Sequence, residues 1–502
     1  MRRLPGPGER NHTVKKKLVL ISPHPPGNVG EENVSVLNQM PVNLAYLKAL
    51  THDGWEVDII DETQEPAITA DGADICFGGA DLVGITAMTH QAPRAYEIAQ
   101  ACRARGIPVV MGGVHVTAYP QEAMQFADAI SKREGFTVWP RIIADFEANN
   151  LQREYDGGLN QLGELHGIWP DREFLRQKYG YRYTATVATA GCPYNCDFCF
   201  VPLFQGHKYR ERPVEDILDE LESFKGKYRG MIWTDENFYG HSRISHERAL
   251  RLYRGMAERN INQNWFGFTS IHIHEDDEVL YWMAQSGSVG MLIGFESIDL
   301  ATLKSMNKNF NAKIEKTVGY RAAIERIRKH GLAVWATMIF GSDTDTPDTF
   351  DRVADFVLDN EIDIMTNGLA TPFPGTRLYD RLMAEGRVFR NNYPWDWKYY
   401  TAHHLLYTLK SMTLDQLIES YEHLYDRLYT TEMLRKRFAR SRAALQNMNS
   451  AVFAFRVNLD WQGVYRHIIE NLKALRDSGD YERALKGRVS VSVPGSSDAV
   501  AV

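Results

Sequence analysis

The sequence has little cysteine, no long apolar run and no excess of positive charge. It contains five cysteines in 502 residues, which argues against a disulfide framework. No run of about 18 apolar residues occurs, so we expect no membrane-spanning segment. The residues before Leu18 also lack the apolar stretch of a secretory signal peptide. The net charge is -7 and basic residues are spread along the chain, so we expect no nucleic-acid partner held by phosphate contacts.

The residues that are present have the composition of a globular protein. Hydrophobic residues make up 44% of the chain and charged residues 24%, so a sizeable core can be buried. Domains usually hold roughly 100 to 200 residues, so a chain of 502 residues should divide into several units. We predict a disordered leader, a first α/β domain, a linker, a second α/β domain, a helical domain and a flexible tail, over residues 1–17, 18–150, 151–183, 184–394, 395–488 and 489–502.

Three of the five cysteines share one short segment. Cys192, Cys196 and Cys199 lie in Ala-Gly-Cys-Pro-Tyr-Asn-Cys-Asp-Phe-Cys-Phe, residues 190–200. Three thiolates on one loop can hold three irons of a four-iron cubane, and no fourth cysteine lies nearby to bind the last iron. A structural zinc site usually has four closed ligands, so this spacing favours an iron–sulfur cluster with one open position.

The cysteine segment resembles that of radical S-adenosylmethionine (SAM) enzymes, including the aromatic Phe198 before the third cysteine. The resemblance implies a 4Fe-4S cluster whose open iron chelates the amino and carboxylate groups of SAM and delivers the electron that cleaves it. It also implies an external electron donor of the flavodoxin or ferredoxin type. Because oxygen destroys such clusters, a cytoplasmic location is expected. Cys76 and Cys102 lie apart, in segments typical of ordinary α/β structure, and predict no second cluster.

The first domain shows short apolar runs alternating with helical patterns. This alternation predicts a parallel sheet of βαβ units, a Rossmann-like fold whose ligands bind at the carboxyl ends of the strands. The predicted strands are Leu18–Ser22, Val57–Ile60, Leu82–Thr86 and Val109–Met111, and the predicted helices include Val42–Thr51 and Arg94–Arg105.

The loops after these strands resemble the cobalamin-binding domain found in front of many radical SAM barrels, and Gly112-Gly113 would allow close backbone approach. The resemblance assigns cobalamin contacts to Ser22, His24, Pro25, Pro26, Gly27, Thr86, Met88, Thr89, Gly112, Gly113, His115 and Thr117. Domains of the methionine synthase type carry Asp-x-His-x-x-Gly, and this sequence has Ser22 in place of the Asp, so a cobalt-ligand role of His24 is left open. The alternative is a Rossmann-like domain that only packs against its neighbour.

Between Thr184 and about Pro394 a strand-then-helix pattern repeats six times. Six parallel units are typical of the partial (β/α)6 barrel of radical SAM enzymes, whose active-site residues lie at the carboxyl ends of the strands. The cysteine segment follows the first strand. The predicted strands are Ala185–Thr189, Met231–Thr234, Trp265–Thr269, Met291–Phe295, Val334–Phe340 and Ile364–Ala370.

Motifs at the other strand ends are similar to those of the same family. The resemblance assigns SAM contacts to Phe198, Asp235, Glu236, Asn237, Glu296, Ser297, Phe340 and Gly341. The acidic motif at 234–238 would reach the SAM amino group, Glu296 a polar part such as the ribose, and backbone near Gly341 the adenine. An acid at a strand end can also be a helix N-cap. The assignment of these residues to SAM therefore depends on the order and spacing of the motifs after the cysteine segment. His272 follows the third strand, where relatives often have an arginine, which leaves the SAM carboxylate partner open. His272 and His274 alternate as the residues of a strand do.

The C-terminal region combines an aromatic-rich passage at 395–407 with helical patterns from Leu414 past Tyr429 and through Arg435 to Arg442. It resembles the helical extension of the branch of cobalamin-type radical SAM enzymes that includes hopanoid methylases. The aromatic residues, Trp397 among them, either line a site for a large apolar or ring-bearing substrate or pack a helical lid against the barrel.

The resemblance as a whole predicts a cobalamin-dependent radical SAM enzyme. The leading interpretation is C-methylation of an unactivated carbon in a small-molecule or lipid-like biosynthetic intermediate, through a 5'-deoxyadenosyl radical. A cyclase or ring-rearranging enzyme without methyl transfer is the first alternative. A methylthiotransferase acting on tRNA or protein is the second, but it would carry three further cysteines in its first domain and a basic domain at its end.

Overall fold

The structure is a computed structural model that describes residues 15–24, 40–159, 166–240 and 242–487. Two parallel sheets follow one another along the chain, and a group of helices closes it. This order confirms the predicted α/β fold class with a helical C-terminal region. None of the described helices is both long and apolar enough to cross a bilayer.

The first sheet has six parallel strands in the order β2-β1-β3-β4-β5-β6. Its strands are β1 Lys16–Ser22, β2 Trp55–Asp61, β3 Leu82–Thr86, β4 Val109–Gly112, β5 Ala129–Lys132 and β6 Glu154–Asp156. The helices are α1 Val42–Ala49, α2 Ala92–Ala104, α3 Val114–Ala118, α4 Pro120–Phe126 and α5 Gly135–Glu147. The four predicted strands are confirmed as β1 to β4. β6 pairs with β5 beyond residue 150, and the domain boundary at that residue stays a prediction.

The central strands of this sheet are buried on both faces, which explains their continuous apolar runs. Leu18 to Ile21 in β1 are fully buried. Gly84 in β3 lies opposite Leu20 and under the indole of Trp139, and a Cβ at Gly84 would lie 2.8 Å from the Leu20 side chain. The sheet therefore has room beside Trp139 only because residue 84 has no side chain.

The second sheet also has six parallel strands, in the order β14-β13-β12-β11-β10-β7. Within the described residues β7 and β14 do not pair, so the sheet forms an open, partial barrel, as predicted. Its strands are β7 Tyr183–Thr186, β10 Gly230–Trp233, β11 Asn264–Thr269, β12 Ser288–Glu296, β13 Ala333–Phe340 and β14 Ile364–Leu369. The helices over this part are α6 Arg172–Tyr179, α7 Val201–Gln205, α8 Val214–Ser223, α9 Arg243–Glu258, α10 Asp277–Gln285, α11 Leu300–Ser305, α12 Asn309–Thr317, α13 Tyr320–Arg328, α14 Pro347–Asp359 and α15 Arg377–Ala384.

Two local predictions in the barrel are wrong. The first strand was expected to continue to Thr189, but it ends at Thr186, and β8 (Thr189–Ala190) instead pairs antiparallel with β9 (Arg210–Glu211). Hydrogen bonds from this segment to the buried carboxylate of Asp235 draw it away from the sheet. His272 and His274 were expected to alternate as strand residues, but residues 271–275 form a 3-10 helix in which His274 is buried.

The C-terminal region is helical, as predicted. Its helices are α16 Leu414–Leu428, α17 Thr431–Leu445, α18 Met448–Ser478 and α19 Asp480–Leu485. The buried carboxylate of Asp363, just before β14, holds α17 to the barrel because it accepts hydrogen bonds from Ser441 and from Arg328. The helices therefore belong to the core of the barrel.

The first domain is joined to the rest of the chain by buried polar contacts. Arg212 forms ion pairs with Asp216 and Glu220, and its guanidinium also reaches the Tyr46 hydroxyl of α1. On another side, the indole N–H of Trp397 donates to the carboxylate of Glu122 in α4. Trp397 is fully buried in this contact, which favours the packing alternative over a place in the lining of a substrate site.

Candidate functional site

The cysteine loop leaves the barrel at the carboxyl end of β7 and is held by contacts on both sides. Gly191, just before Cys192, has φ +86°, and a Cβ there would collide with the carbonyl oxygen of Lys208. Only glycine fits this turn. Asp197 accepts a hydrogen bond of 2.8 Å from the Arg377 guanidinium, so the loop is also tied to α15.

The three loop cysteines are half-buried thiols. Burial raises the pKa of Cys192, raises that of Cys196 to about 11 and raises that of Cys199 to about 12, so metal binding must displace their protons. In the part of the chain that the structure describes, no three His, Cys, Asp or Glu side chains converge as one metal ion would require. A cubane needs no such convergence, because each cysteine binds a different iron. Three thiolates match three irons of a cubane and are one short of the four ligands of a structural zinc site.

A buried ion pair lies beside the cysteine loop. Glu296 ends β12 with φ +63°, after a shift in the strand register, and its carboxylate is 2.6 Å from the ammonium of Lys308. Burial alone would lower the pKa of Lys308, but Glu296 and Cys196 more than offset it, so the pKa of the ammonium is raised. The ammonium lies 5.8 Å from the centre of the Phe198 ring. A fixed positive charge thus stands next to the cluster loop.

The three residues of the acidic motif after β10 have different environments. Asp235 is fully buried and accepts hydrogen bonds from the Ala188 amide and the Thr189 hydroxyl, so its carboxylate holds the backbone before the cysteine loop. Asn237 is also buried, and it accepts from Thr269 while its side-chain N–H groups have no partner among the described residues.

Glu236, between them, is half-buried and close enough to the cysteine loop for its charge to act on Cys192 and Cys199. Burial, with the neighbouring Asp235 charge, raises its pKa to about 7. The charges of both the Glu236 carboxylate, which ionises near neutral pH, and the Lys308 ammonium therefore act on the cysteine loop.

A first cavity, of about 260 Å³, opens beside the cysteine loop. Phe198 and Gly341 line it, together with Ala370 and Tyr407. The Tyr407 hydroxyl donates to the Gly341 carbonyl at 2.7 Å and fixes this wall. Of the other predicted SAM contacts, Phe340 is buried away from the cavity and stacks on Phe350, and Ser297 is buried where its hydroxyl accepts from the Asp299 amide.

A second cavity, of about 360 Å³, lies at the carboxyl edge of the first sheet and faces the barrel. Its lining is mostly apolar, with Val187, Ala190, Phe204 and Gln205 of the barrel on one side. It brings together five of the predicted cobalamin residues, which are Thr86, Met88, Gly112, Gly113 and Thr117. Gly113 has φ +105°, and a Cβ there would lie 2.7 Å from the Ala87 carbonyl oxygen. Both glycines line the cavity, and position 113 admits no side chain without a shift of the loop.

The remaining predicted cobalamin residues do not line this cavity. Ser22 ends β1, and His24 follows with its backbone N–H bonded to Glu62. His115 is fully buried and its Nε2 is 3.0 Å from the carboxylate of Glu122, so a contact with a ligand in the cavity would require that pair to open. Thr89 lines a different cavity. Pro25, Pro26 and Gly27 fall outside the described residues.

A third cavity, of about 240 Å³, lies where the first domain, the barrel and the C-terminal region meet. The first domain contributes Thr89 and His90, the cysteine loop contributes Phe200, and Tyr400 comes from the C-terminal region. Met88 lines both this cavity and the second one. Its walls therefore come from all three regions of the chain.

Lys308 and His90 are candidate site residues that sequence reasoning missed. Lys308 follows Glu296 by twelve residues, at the end of the connection between α11 and α12, where no strand end or motif marks it. The short distance along the chain from Glu296 was the one feature of the sequence that could have indicated Lys308 as its partner. His90 lies in a short 3-10 helix after β3, one residue beyond the predicted cobalamin loop.

Comparison with protein families identifies both α/β regions. The Radical SAM superfamily model matches residues 186–357, and the B12 binding domain model matches residues 34–140. A domain of unknown function, DUF4070, matches residues 376–473. The Radical SAM match corresponds to the barrel, the B12 binding match to the first sheet and the DUF4070 match to the C-terminal region.

Individual proteins are similar to almost the whole chain. The bacteriochlorophyllide d C-8(2)-methyltransferase of Chlorobaculum tepidum is 31% identical over 438 residues, which covers 83% of this chain and 92% of that protein. The hopanoid C-2 methylase of Rhodopseudomonas palustris is 26% identical over 403 residues, covering 79% of this chain and 72% of that one.

The fold is that of a solved enzyme. The radical S-adenosylmethionine methyltransferase TsrM from Kitasatospora setae, solved with cobalamin and a 4Fe-4S cluster bound, aligns with a TM-score of 0.61 over 92% of this chain and 99% of its own, at 15% identity. With the family matches and the relative above 30% identity, the cysteine loop facing a glycine-lined cavity shows that the chain belongs to the cobalamin-dependent radical SAM enzymes.

Proposed function

We propose that this radical SAM enzyme is a cobalamin-dependent C-methyltransferase that acts on an unactivated carbon of a small-molecule or lipid-like biosynthetic intermediate. The observation that carries the proposal is the third cavity, which has the cysteine loop on one side and the cobalamin-domain loop on the other. A substrate held there would be in reach of both cofactors. The methyltransferase relatives support the reaction type.

The bound groups supply the chemistry that no side chain has: the 4Fe-4S cluster supplies the electron that cleaves SAM to a 5'-deoxyadenosyl radical, and cobalamin supplies the methyl group. The protein must bind them, orient them and keep the reacting carbon dry. Cys192, Cys196 and Cys199 would bind the cluster. An external electron donor of the flavodoxin or ferredoxin type and a cytoplasmic location belong to the same proposal, because the cluster must be reduced and protected from oxygen.

The charges around the cysteine loop fit the amino acid end of SAM. That end carries one ammonium and one carboxylate, and both the Glu236 carboxylate and the Lys308 ammonium are close enough to the loop for their charges to act on Cys192. We assign the SAM ammonium to Glu236 and the SAM carboxylate to Lys308, in place of the arginine that relatives often have after the third strand. Glu296 would then orient Lys308 and approach the ribose. The first cavity, with Phe198 and Gly341, would hold the adenine.

The second cavity fits part of a corrin because its lining is mostly apolar and includes two adjacent glycines. Thr86, Met88, Gly112, Gly113 and Thr117 would contact cobalamin there. Five of the predicted contact residues are buried, and we assign them to positioning the loops in place of direct cofactor contact. They are Asp235, Asn237, Ser297, Phe340 and His115. Ser22, His24 and Thr89 keep the predicted role at the edge of the corrin site.

The test is anaerobic reconstitution with iron, sulfide and hydroxocobalamin, followed by incubation with dithionite and SAM. We expect 5'-deoxyadenosine and S-adenosylhomocysteine, and a corrin absorbance that stays with the protein on gel filtration. Replacing Cys196 by Ala should abolish 5'-deoxyadenosine. Replacing the exposed Cys76 by Ala is the matched control and should change nothing.

The products also separate the alternatives. Deoxyadenosine without S-adenosylhomocysteine, in the presence of bound corrin, would favour a cyclase or ring-rearranging enzyme. Absence of both products in protein that carries its cluster would overturn the proposed function.

A further inference from the structure

The third cavity has a distinctive chemical composition. Its walls are Met88, Thr89, His90, Val114, Ala118, Phe200, Phe373, Pro374, Tyr400 and Thr401. Among these described lining residues there is no Asp, Glu, Lys or Arg, and His90 is the one histidine. Phe200 and Phe373 meet edge to face, with ring centres 5.2 Å apart. The cavity is therefore an apolar, aromatic space with one imidazole in its wall.

The imidazole of His90 lies in the wall of the third cavity and is neutral at pH 7. The described residues offer it no hydrogen-bond partner, so its ring nitrogens remain available to a molecule in the cavity. Burial, together with nearby His24, lowers the pKa of His90 to about 4. At pH 7 one nitrogen is then a donor and the other an acceptor.

The opposite wall is held in a defined shape by the C-terminal region. Ala402 has φ +66°, a conformation that non-glycine residues adopt rarely, and its carbonyl accepts a hydrogen bond of 2.8 Å from Leu369 of β14. The hydroxyl oxygen of Thr401, one residue before, is 3.1 Å from the Nδ1 of His404. The Tyr400 hydroxyl donates to the Arg390 carbonyl. The segment 400–402 is thus fixed over the end of the barrel, and its polar groups are already engaged.

We propose that this cavity binds an uncharged, ring-bearing apolar part of the substrate and that His90 makes its specificity-determining contact, a hydrogen bond to a hydroxyl or carbonyl group. The proposal deepens the function given above and depends on it. It also assigns a role to the DUF4070 region, which supplies Tyr400 and Thr401 as one wall of the substrate site.

The physical reason is the cost of burying charge. A phosphate, carboxylate or ammonium group would lose its hydration in this cavity and find no opposite charge there, which is strongly unfavourable. A neutral hydroxyl loses less and regains a hydrogen bond from the free imidazole. Aromatic walls favour a flat or ring-shaped hydrocarbon body.

The experiment uses three probes of one shape: decalin, its alcohol decalol and the sulfate ester of decalol. Their binding to the anaerobically reconstituted full chain is measured by equilibrium dialysis. We expect decalol to bind about tenfold more tightly than decalin, the effect of one hydrogen bond to a buried group. The sulfate ester should bind more weakly than either.

The variants then test His90 itself. His90→Phe keeps an aromatic ring and should remove the preference for decalol over decalin, while His90→Gln should restore part of it. His423→Phe is the matched control, because His423 is an exposed histidine on α16, and it should keep the wild-type preference.

Equal binding of decalol and decalin to the wild type, tighter binding of the sulfate ester, or no binding of any probe would each overturn the proposal. These failures are distinguishable from failure of the proposed function, because formation of 5'-deoxyadenosine and S-adenosylhomocysteine by the wild type is scored separately. A preference that survives in His90→Phe would also overturn it.

Discussion

The two proposed cofactor sites of this protein differ in the groups that line them. Around the cysteine loop, the Glu296–Lys308 pair, the Glu236 carboxylate and three thiols lie close together, so we propose that SAM recognition depends on charge. In the first domain, Gly112 and Gly113 line a mostly apolar cavity, so we propose that cobalamin recognition depends on space. The comparison teaches that charge substitutions should damage the first region, whereas added side-chain volume should damage the second.

The largest effect is expected from adding one methyl group to a glycine of the cobalamin-domain cavity. Gly113→Ala puts a Cβ 2.7 Å from the Ala87 carbonyl oxygen at φ +105°, so the loop must move. We expect at least about tenfold weaker corrin retention on gel filtration, which corresponds to roughly 1 to 3 kcal/mol of strain. Iron content should remain at the wild-type value.

Gly106→Ala is the control for backbone strain alone. Gly106 also has a positive φ, of +74°, but a Cβ there would meet nothing within 4 Å. Normal corrin retention in Gly113→Ala would show that space at Gly113 does not govern recognition in this region.

The next effect tests charge at the cysteine loop. Lys308→Met keeps the length of the side chain but removes the ammonium and leaves Glu296 buried without its partner. We expect at least about tenfold weaker SAM binding by equilibrium dialysis, the cost of breaking a buried charge pair. Corrin retention should not change, which would sharpen the contrast between the regions.

The control for this variant is Lys304→Met, on the exposed face of α11. It should bind SAM as the wild type does. If Lys308→Met bound SAM normally with a full cluster, the assignment of the SAM carboxylate to Lys308 would be wrong.

The smallest effect is a pH dependence. Burial raises the pKa of Glu236 to about 7, so its carboxylate is ionised above that pH and protonated below it. Because the SAM ammonium needs the ionised form, SAM binding should strengthen several-fold as the pH rises from 6 to 8. Glu236→Gln should flatten this profile. A wild-type profile with no change between these pH values would remove Glu236 from the site.

The raised pKa also has a consequence for stability. A carboxyl whose pKa is higher in the folded than in the unfolded state loses stabilisation as the pH rises from the unfolded value towards about 7. The carboxylate that we assign to the SAM ammonium therefore disfavours the folded chain above neutral pH, and Glu236→Gln should melt at a higher temperature than the wild type at pH 8.

Much of the fold could be predicted from the sequence because its signals are local. The cysteine ligands are contiguous, and the barrel strands are apolar runs separated by helical periods, so both were identified. β5 (Ala-Ile-Ser-Lys) and β6 (Glu-Tyr-Asp) contain polar residues, so neither shows the continuous apolar run that marked β4. The first barrel strand was predicted too long because its end depends on Asp235, a residue nearly fifty positions away.

The site could be predicted only in part, since residue type does not show where a side chain points. His115 and Asp235 follow the ends of β4 and β10, where ligand-binding residues often lie, but each is buried against protein groups. Lys308 lies at the site because the fold brings it to the cysteine loop. His90 lies there because the fold brings it to the C-terminal region. No local pattern marks either residue.

The measurement that tests the central claim most directly is the electron paramagnetic resonance spectrum of the reduced, reconstituted protein with and without SAM. A cluster held by Cys192, Cys196 and Cys199, with one open iron, should give a signal whose g values shift when SAM is added. A signal that is indifferent to SAM, or protein that contains zinc in place of iron, would contradict the account.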